Sequence, residues 1–354
     1  HVNNISMAEE GKLTRLSEMG EFQLIDHLSK QITRIRETTV KGAGDDAAVM
    51  QYKQQQTLVT TDIFMEGVDF NLMYFPLKHL GYKAVVAGIA DIYAMNAVPQ
   101  QIMISLATSS KYSLEAIDEL YKGIHQACQI YKLDLTGGDI NSSLTGLAIH
   151  VTAVGAAEPD EVVYRNTANP TDVVCVTGDL GAAYMGLQLL EREKEIFKAH
   201  PEVQPQLTGY DYILERQLKP ELPVQLLEVF RQAEIKPTSM IDISDGLGSE
   251  MLHICKQSST GAKIFEDKLP VAEETKAAAN EMSLDPVIPV MNGGDDYELL
   301  FTVSVNDYEK IKEQQGITAI GHLITDSNQV HLISRNGTPV PINAQGWNAA
   351  DQED

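Results

Sequence analysis

Five short stretches set carboxylates on turns rich in glycine or hydroxyl groups: GAGDDAAV at 42–49, TTDIFMEG at 60–67, LTGGDINSS at 135–143, IDISDGL at 241–247 and NGGDDYEL at 292–299. An aspartate in such a turn ordinarily caps a helix or closes an Asx turn, because its short side chain reaches nearby backbone N–H groups. Asp46, Asp62, Asp91, Asp139, Asp242 and Asp245 each sit at or beside a turn or helix with small neighbours, and each alone carries that ordinary reading. Together they point elsewhere. Two unit charges about 4 Å apart repel by roughly 4 kcal/mol at an effective dielectric near 20, so convergence requires cations or protonation. Hard carboxylate oxygens, with the hydroxyls of Thr60, Thr61 and Ser244 nearby, suit Mg2+, which takes the rest of its shell from water and substrate phosphates. An acidic cluster can therefore be a phosphate site, with metal as the bridge.

Backbone amides of a glycine-rich turn approach phosphate oxygens closely, and a helix N-terminus adds a favourable dipole. TGGD at 136–139 and TGDLGAA at 177–183 are candidates, although most such glycine clusters are ordinary turns. Neither forms a G-x-x-x-x-G-K-[ST] or a G-x-G-x-x-G loop. The nine histidines are scattered, without H-E-x-x-H or zinc spacing, and there is no G-x-S-x-G elbow. Arg165 is the lone cation of the segment EPDEVVYRNTANPTD at 158–172, where it can meet an anion or simply face solvent. Trp347, the only tryptophan, either stacks on an aromatic ligand or pins the tail to the body.

The whole chain bounds what these groups can serve. Its 354 residues suit two domains. Lys plus Arg is 27 against 50 for Asp plus Glu, a net charge of -23. That argues against nucleic acid or anionic membrane as partner, because such binding rests on cationic side chains. It leaves room for small anionic substrates that bring metal cations. Cys128, Cys175 and Cys255 are far apart and form no C-x-x-C pair, so no disulfide framework is expected and a reducing cytosol fits. The first 20 residues lack an apolar run, so no signal peptide is expected; HVNNIS is left out of the fold reading. The longest apolar stretch, AVVAGIADIYAM at 84–95, is too short for a membrane span and carries Asp91.

Periodicity supplies the elements that must position these residues. Helical spacing predicts helices at 21–32, 78–97 and 113–132, the last with Ser113 as N-cap. Strands are expected at 56–65, 99–109 and 146–157, and LDLTGGDI ends another in a glycine-rich turn. The segment 158–172 reads as a domain junction. Beyond it, 173–190 and 239–258 each read as strand, turn and helix; a strand, a helix and the turn and strand of 292–303 follow. Two α/β domains with mixed sheets is the economical architecture.

Taken in order, GAGDDAAV, TTDIFMEGVDF, GIADIYAMNAVP, LTGGDINSS, VYRNTANPTDVVCVTGDLGAA, IDISDGL and NGGDDYELLF resemble the thiamine-monophosphate kinase family. That family lies within the ATP-binding superfamily of aminoimidazole-ribonucleotide synthetase. The motifs span residues 42 to 301, and GGDDYELLF with IDISDGL points to the thiamine branch. The resemblance implies a cytoplasmic homodimer of two-domain α/β subunits. Residues 20–158 would bind ATP and Mg2+ and dimerise through their sheet, and 159–348 would form the C-terminal α/β domain. It implies ATP plus thiamine monophosphate giving ADP plus thiamine diphosphate, with several Mg2+ ions.

Carried over position by position, the metal ligands fall on Asp46, Thr60, Thr61, Asp62, Asp91, Asp139, Asp242 and Asp245. ATP contacts fall on Tyr121, Gly138, Asp139, Arg165 and Ser244, and substrate contacts on Asp69, Asp295 and Trp347. The family often has His at the position of Asp69, and usually reads Gly-Gly-Glu-Asp where this chain has Gly293-Gly294-Asp295-Asp296. Both departures bear on the substrate contacts and leave the metal core intact. The acceptor is itself a phosphate with a second pKa near 6, so no general base is expected, and direct in-line transfer is the anticipated route.

Other readings compete. Selenophosphate synthetase carries a reactive cysteine or selenocysteine in its N-terminal segment, whereas no cysteine precedes Cys128 here. The hydrogenase-maturation relative carries a C-terminal cysteine, which AADQED lacks. Aminoimidazole-ribonucleotide synthetase itself gives no reason for GGDDYELLF. A divalent-cation or nucleotide binder without turnover is the alternative from another class, although no EF-hand loop is present.

Overall fold

The run Gln56–Met65 turns Leu58, Thr60, Asp62 and Phe64 to one side and Thr57, Val59, Thr61, Ile63 and Met65 to the other. This is the period-two pattern of a strand with one covered face. It is the third strand in a computed structural model that describes residues 27–28, 30–41 and 49–343. A short ribbon of β1 (Thr39–Lys41) and β2 (Val49–Met50) precedes β3 (Gln56–Met65). Then come α1 (Leu77–Ala94), β4 (Val98–Thr108), α2 (Leu114–Tyr131), β5 (Asp134–Ser142) and β6 (Ala148–Ala157). These build a four-stranded sheet of order β3-β6-β4-β5, in which only β4 and β5 run parallel.

The segment 158–172 contains neither helix nor strand. After it follow β7 (Val173–Thr177), α3 (Ala182–Ala199), α4 (Asp211–Leu218), α5 (Gln225–Ala233), β8 (Ser239–Ile243), α6 (Leu247–Ser258) and β9 (Gly261–Phe265). The chain continues through α7 (Glu273–Glu281), α8 (Val287–Asn292), β10 (Glu298–Val303), α9 (Val305–Ile311), β11 (Ile317–Ile324), β12 (Val330–Ile333) and β13 (Pro339–Pro341). The second sheet has order β13-β12-β9-β11-β7-β10-β8, and only β9 and β12 pair parallel. The architecture is mixed α/β with two mixed sheets.

The two sheets are covered differently. Apolar clusters lie on both faces of the seven-stranded sheet, one including Leu247, Met251 and Val290, the other Phe230 and Ile311. Accordingly every residue of β10 is buried, and its sequence ELLFTV shows no polar alternation. The four-stranded sheet is covered on one face by α1, with α2 packed on α1, while Val59, Ile63 and Met65 stay 65%, 51% and 47% exposed. Helix α1 also touches β8 of the other sheet, which is why residues 80–90 are buried all round. Ser113 caps α2 as expected, its side chain accepting from Ala116 N.

Helix α5 and strands β11 to β13 had no counterpart in the sequence reading. The expected helix at 21–32 falls mostly outside the described residues, and Asp46 and Trp347 lie outside them entirely. No described helix is long and apolar enough to cross a membrane.

Candidate active site

The acids meet where the two sheets approach α1. A cavity of about 660 Å3 is lined by Thr61 and Asp62 of β3, Asp69 after it, Asp91 of α1, Asp242 of β8, Ser244 and Asp245 of the turn after β8, and Asp295 before β10. A neighbouring cavity of about 410 Å3 is lined by Thr60, Asp91, Tyr164, Arg165 and Asn166 among others. Among the described residues Asp91 alone lines both. It sits on a helix held from all sides, and the Thr60 hydroxyl donates to its Oδ2 at 2.7 Å.

Two turns from the second sheet are zipped together to form the opposite wall. Asp295 N donates to Ser244 O at 2.8 Å, and Tyr297 N donates to Ile243 O at 2.9 Å. Gly294 is required there, since a Cβ would lie 2.5 Å from Ser244 O; Gly246 has φ +116°, which disfavours any side chain. Asp295 and Tyr297 adopt φ +66° and +51°, left-handed conformations uncommon for side-chain-bearing residues. Such backbone strain clusters where a side chain must be aimed.

The electrostatics of this wall oppose full ionisation. Burial, and then the Asp91 charge, push the Asp242 carboxyl up to about 7 against the opposing pull of Arg165 and the Ser244 hydroxyl. Burial also raises Asp62, and the charges of Asp91, Asp69 and Asp295 add to it. Glu250, pushed up to about 8 by burial, accepts the Asp245 amide at 2.9 Å and so fixes the turn that carries Asp245. Carboxylates held above their range by burial and mutual repulsion are the groups a dication relieves. Among the described residues no three His, Cys, Asp or Glu side chains form a ready-made metal cluster. An oxygen site of this kind fits Mg2+, which keeps waters and shares its shell with phosphate oxygens.

Behind the cavity, Arg216 of α4 serves three acids. Its guanidinium lies 3.1 Å from Asp179, 3.4 Å from Glu298 and 3.8 Å from Asp296. One cation cannot neutralise three anions. The most buried, Asp296, is pushed up to about 7 by burial despite Arg216. Its Oδ2 accepts the Gly181 amide at 2.9 Å, tying the turn before β10 to the start of α3.

Several residues singled out in the sequence lie elsewhere. Tyr121 is 5% exposed inside the N-terminal core and lines neither cavity. Its ring packs in the N-terminal core cluster. Gly138 and Asp139 stand on β5, the edge strand opposite β3, about 14 Å away across three strand spacings. Neither lines the two cavities described above. Conversely, sequence reasoning passed over Lys83, Arg216, Gln217, Glu250 and Tyr297. A lysine in the middle of the apolar run GYKAVVAGIA was a legible signal for the first of these.

Known proteins resemble this chain over most of its length. Residues 44–157 match the family model described as "AIR synthase related protein, N-terminal domain". The chain is 32% identical to the thiamine-monophosphate kinase of Bacillus subtilis (strain 168), over 93% of this chain and 99% of that one. It is 30% identical to the thiamine-monophosphate kinase of Aquifex aeolicus (strain VF5), over 90% of this chain and 100% of the other. Among solved structures it resembles AaThiL complexed with AMPPCP and TMP, with a TM-score of 0.73 and 28% identity, over 98% of this chain and 100% of that chain.

Proposed function

The chain belongs to the thiamine-monophosphate kinase family, and on that premise we propose how its two cavities divide the reaction. The enzyme transfers the γ-phosphoryl group of ATP to the phosphate of thiamine monophosphate, giving thiamine diphosphate and ADP. The observation that carries the assignment of parts is Asp91, which belongs to both cavities. The smaller cavity, with Arg165, takes the nucleotide; the larger, with Asp69 and Asp295, takes the acceptor. Their common wall is where the two phosphates meet. A solved relative is complexed with both AMPPCP and TMP, which supports a site that takes nucleotide and acceptor together.

Asp62, Asp91, Asp242 and Asp245, with Thr60 and Thr61, would hold Mg2+ at that wall, and Asp46 joins them by motif alone. When bound, the metal supplies charge neutralisation for the phosphates. The protein contributes alignment. Thr60 orients Asp91, Glu250 fixes the Asp245 turn, and Ser244 steadies Asp242. No base is required, because the acceptor phosphate is mostly deprotonated at neutral pH. Transfer is direct and in line, driven by positioning and electrostatics. The test is an ADP-release assay with thiamine monophosphate and free thiamine side by side, with and without Mg2+. Turnover confined to the phosphate ester and dependent on Mg2+ is expected; turnover of free thiamine alone would overturn the reading.

The uncovered sheet face calls for a second copy of the chain. Val59, Ile63 and Met65 form an apolar row on it, and Asp139 lies opposite Ser105 in the register of β5 against β4. A homodimer that buries this face would bring Asp139 and Gly138 of one copy toward the nucleotide of the other. Ile63→Glu should therefore halve the mass seen by light scattering, and activity should fall with it. An unchanged dimer would contradict the assignment. The three cysteines are buried and unpaired, which suits the cytosol.

A further inference from the structure

Three amides of the glycine-rich turn TGDLGAA are taken by its own chain. Gly178 N donates to Gly316 O, Leu180 N to Pro270 O and Gly181 N to Asp296 Oδ2, each at 2.9 Å. The turn lines neither cavity. Its counterpart is the other glycine turn, NGGDDYEL. A Cβ on Gly178 would lie 2.3 Å from Glu298 Oε1, and one on Gly293 would lie 2.6 Å from Cβ of Tyr184 on α3. Bare backbone permits that approach. The Thr177 hydroxyl adds a bond to Glu298 Oε2 at 2.5 Å.

Arg216 sits across this seam. Besides the three carboxylates, its guanidinium donates to Asp179 O at 3.0 Å and to the Tyr212 hydroxyl at 3.1 Å, and Tyr212 in turn donates to Asp179. Burial opposes the Arg216 charge, but Asp296, Glu298 and Asp179 hold it well above its usual range. Asp296 is 1% exposed, and its Oδ1 faces Arg216 without a hydrogen bond. The next residue of the same helix reaches the cavity. Gln217 lines it, and its carbonyl accepts the Lys83 ammonium, which also donates to Asp295 Oδ2, each at 2.8 Å. Helix α4 thus holds Asp295 through Lys83 and Asp296 through Arg216. We propose that Arg216 is a positioning residue, which clasps TGDLGAA to the GGDDYE turn and so fixes where Asp295 enters the larger cavity. This rests on the kinase reading above, with Asp295 at the acceptor, and adds a residue that lines neither cavity.

A buried ion-pair cluster that only stabilised the fold would favour neither substrate. The clasp acts on one of them, because α3, α4 and the turn at 293–297 all contribute to the larger cavity and none of them to the smaller. The test is steady-state kinetics with each substrate varied in turn, beside thermal unfolding. Arg216→Lys keeps the charge but lacks the planar fork that reaches Asp179 and Glu298 from separate nitrogens. It should raise KM for thiamine monophosphate and lower kcat, together by about 10- to 100-fold in kcat/KM, the cost of a misplacement near 1 Å. KM for ATP should stay near the wild-type value. Should Arg216→Lys prevent folding, Asp296 decides. Asp296→Ala releases the Gly181 amide and should show the same split, whereas Asp296→Asn keeps an oxygen for that amide and should recover much of the acceptor KM. Parallel changes in both KM values, or a lower melting temperature with acceptor KM unmoved, would reduce Arg216 to a structural cation and overturn the inference. Equal kinetics for Asp296→Ala and Asp296→Asn would overturn it too. Wild-type turnover of thiamine monophosphate would leave the kinase reading standing in either case, and wild-type protein inert toward it would remove that reading itself.

Discussion

Asp242→Asn should give a protein that is more stable than the wild type without metal and almost inactive as a catalyst. The carboxyl is buried, and its folded-state value of about 7 lies above the ordinary 3.8. Below pH 3.8 both folded and unfolded states are protonated, and no penalty exists. As pH rises from there toward 7, the unfolded chain ionises while the folded one resists. Stability is lost through that window, and the loss is complete above it. A neutral amide of the same shape removes the loss, on the order of 2–4 kcal/mol at pH 8 from a shift of this size. Thermal unfolding of the metal-free variant should occur several degrees higher at pH 8, with the difference shrinking on acidification. Mg2+ with an ATP analogue should then raise the melting temperature of the wild type and not of the variant. A variant less stable than wild type at pH 8, or one that still turns over, would show that Asp242 is a structural acid.

Asp91→Ala should cost about 10³-fold or more in kcat, because it removes the side chain common to both cavities at the point where charge develops. Most residues of the helix that carries it are buried, so the fold should survive, as circular dichroism can verify. Thr60→Val should be milder. It deletes the 2.7 Å hydrogen bond to Asp91 Oδ2, and a residue that orients a metal-binding carboxylate is typically worth 10–100-fold, roughly. Thr60→Ser should recover most of the activity. A Thr60→Val enzyme as impaired as Asp91→Ala would mean that the hydroxyl acts chiefly as a ligand rather than by orienting Asp91. An active Asp91→Ala enzyme would dismantle the division of the two cavities.

What the sequence reveals and what it hides follow from the range of the forces involved. Strand β3 and helix α2 were readable because their period and cap are local: alternation over 56–65, and Ser113 before an amphipathic run. The turn aspartates were readable as a set because glycine and carboxylate type alone restrict their chemistry. The partners of those aspartates were not. Lys83 meets Asp295 across 212 positions, and Arg216 meets Glu298 across 82. No periodicity encodes such pairings. Asp139 illustrates the opposite failure: its motif is as clear as the others, yet sheet order places it on the far edge of the same sheet. The proposed second copy of the chain would give it a place beside a nucleotide. Strands β11 to β13 escaped notice because a seven-stranded sheet is assembled from pairings distant in sequence.

The central claim is that acids from both sheets jointly hold the metal that brings two phosphates together at Asp91. Crystals grown with Mn2+, an unreactive ATP analogue and thiamine monophosphate test it most directly, through the anomalous signal of the metal. The account predicts peaks within about 2.5 Å of oxygens from Asp91 and Asp242, with the nucleotide's terminal phosphate and the acceptor phosphate on either side. Peaks confined to other surfaces, with either ligand seated away from Asp91, would contradict it.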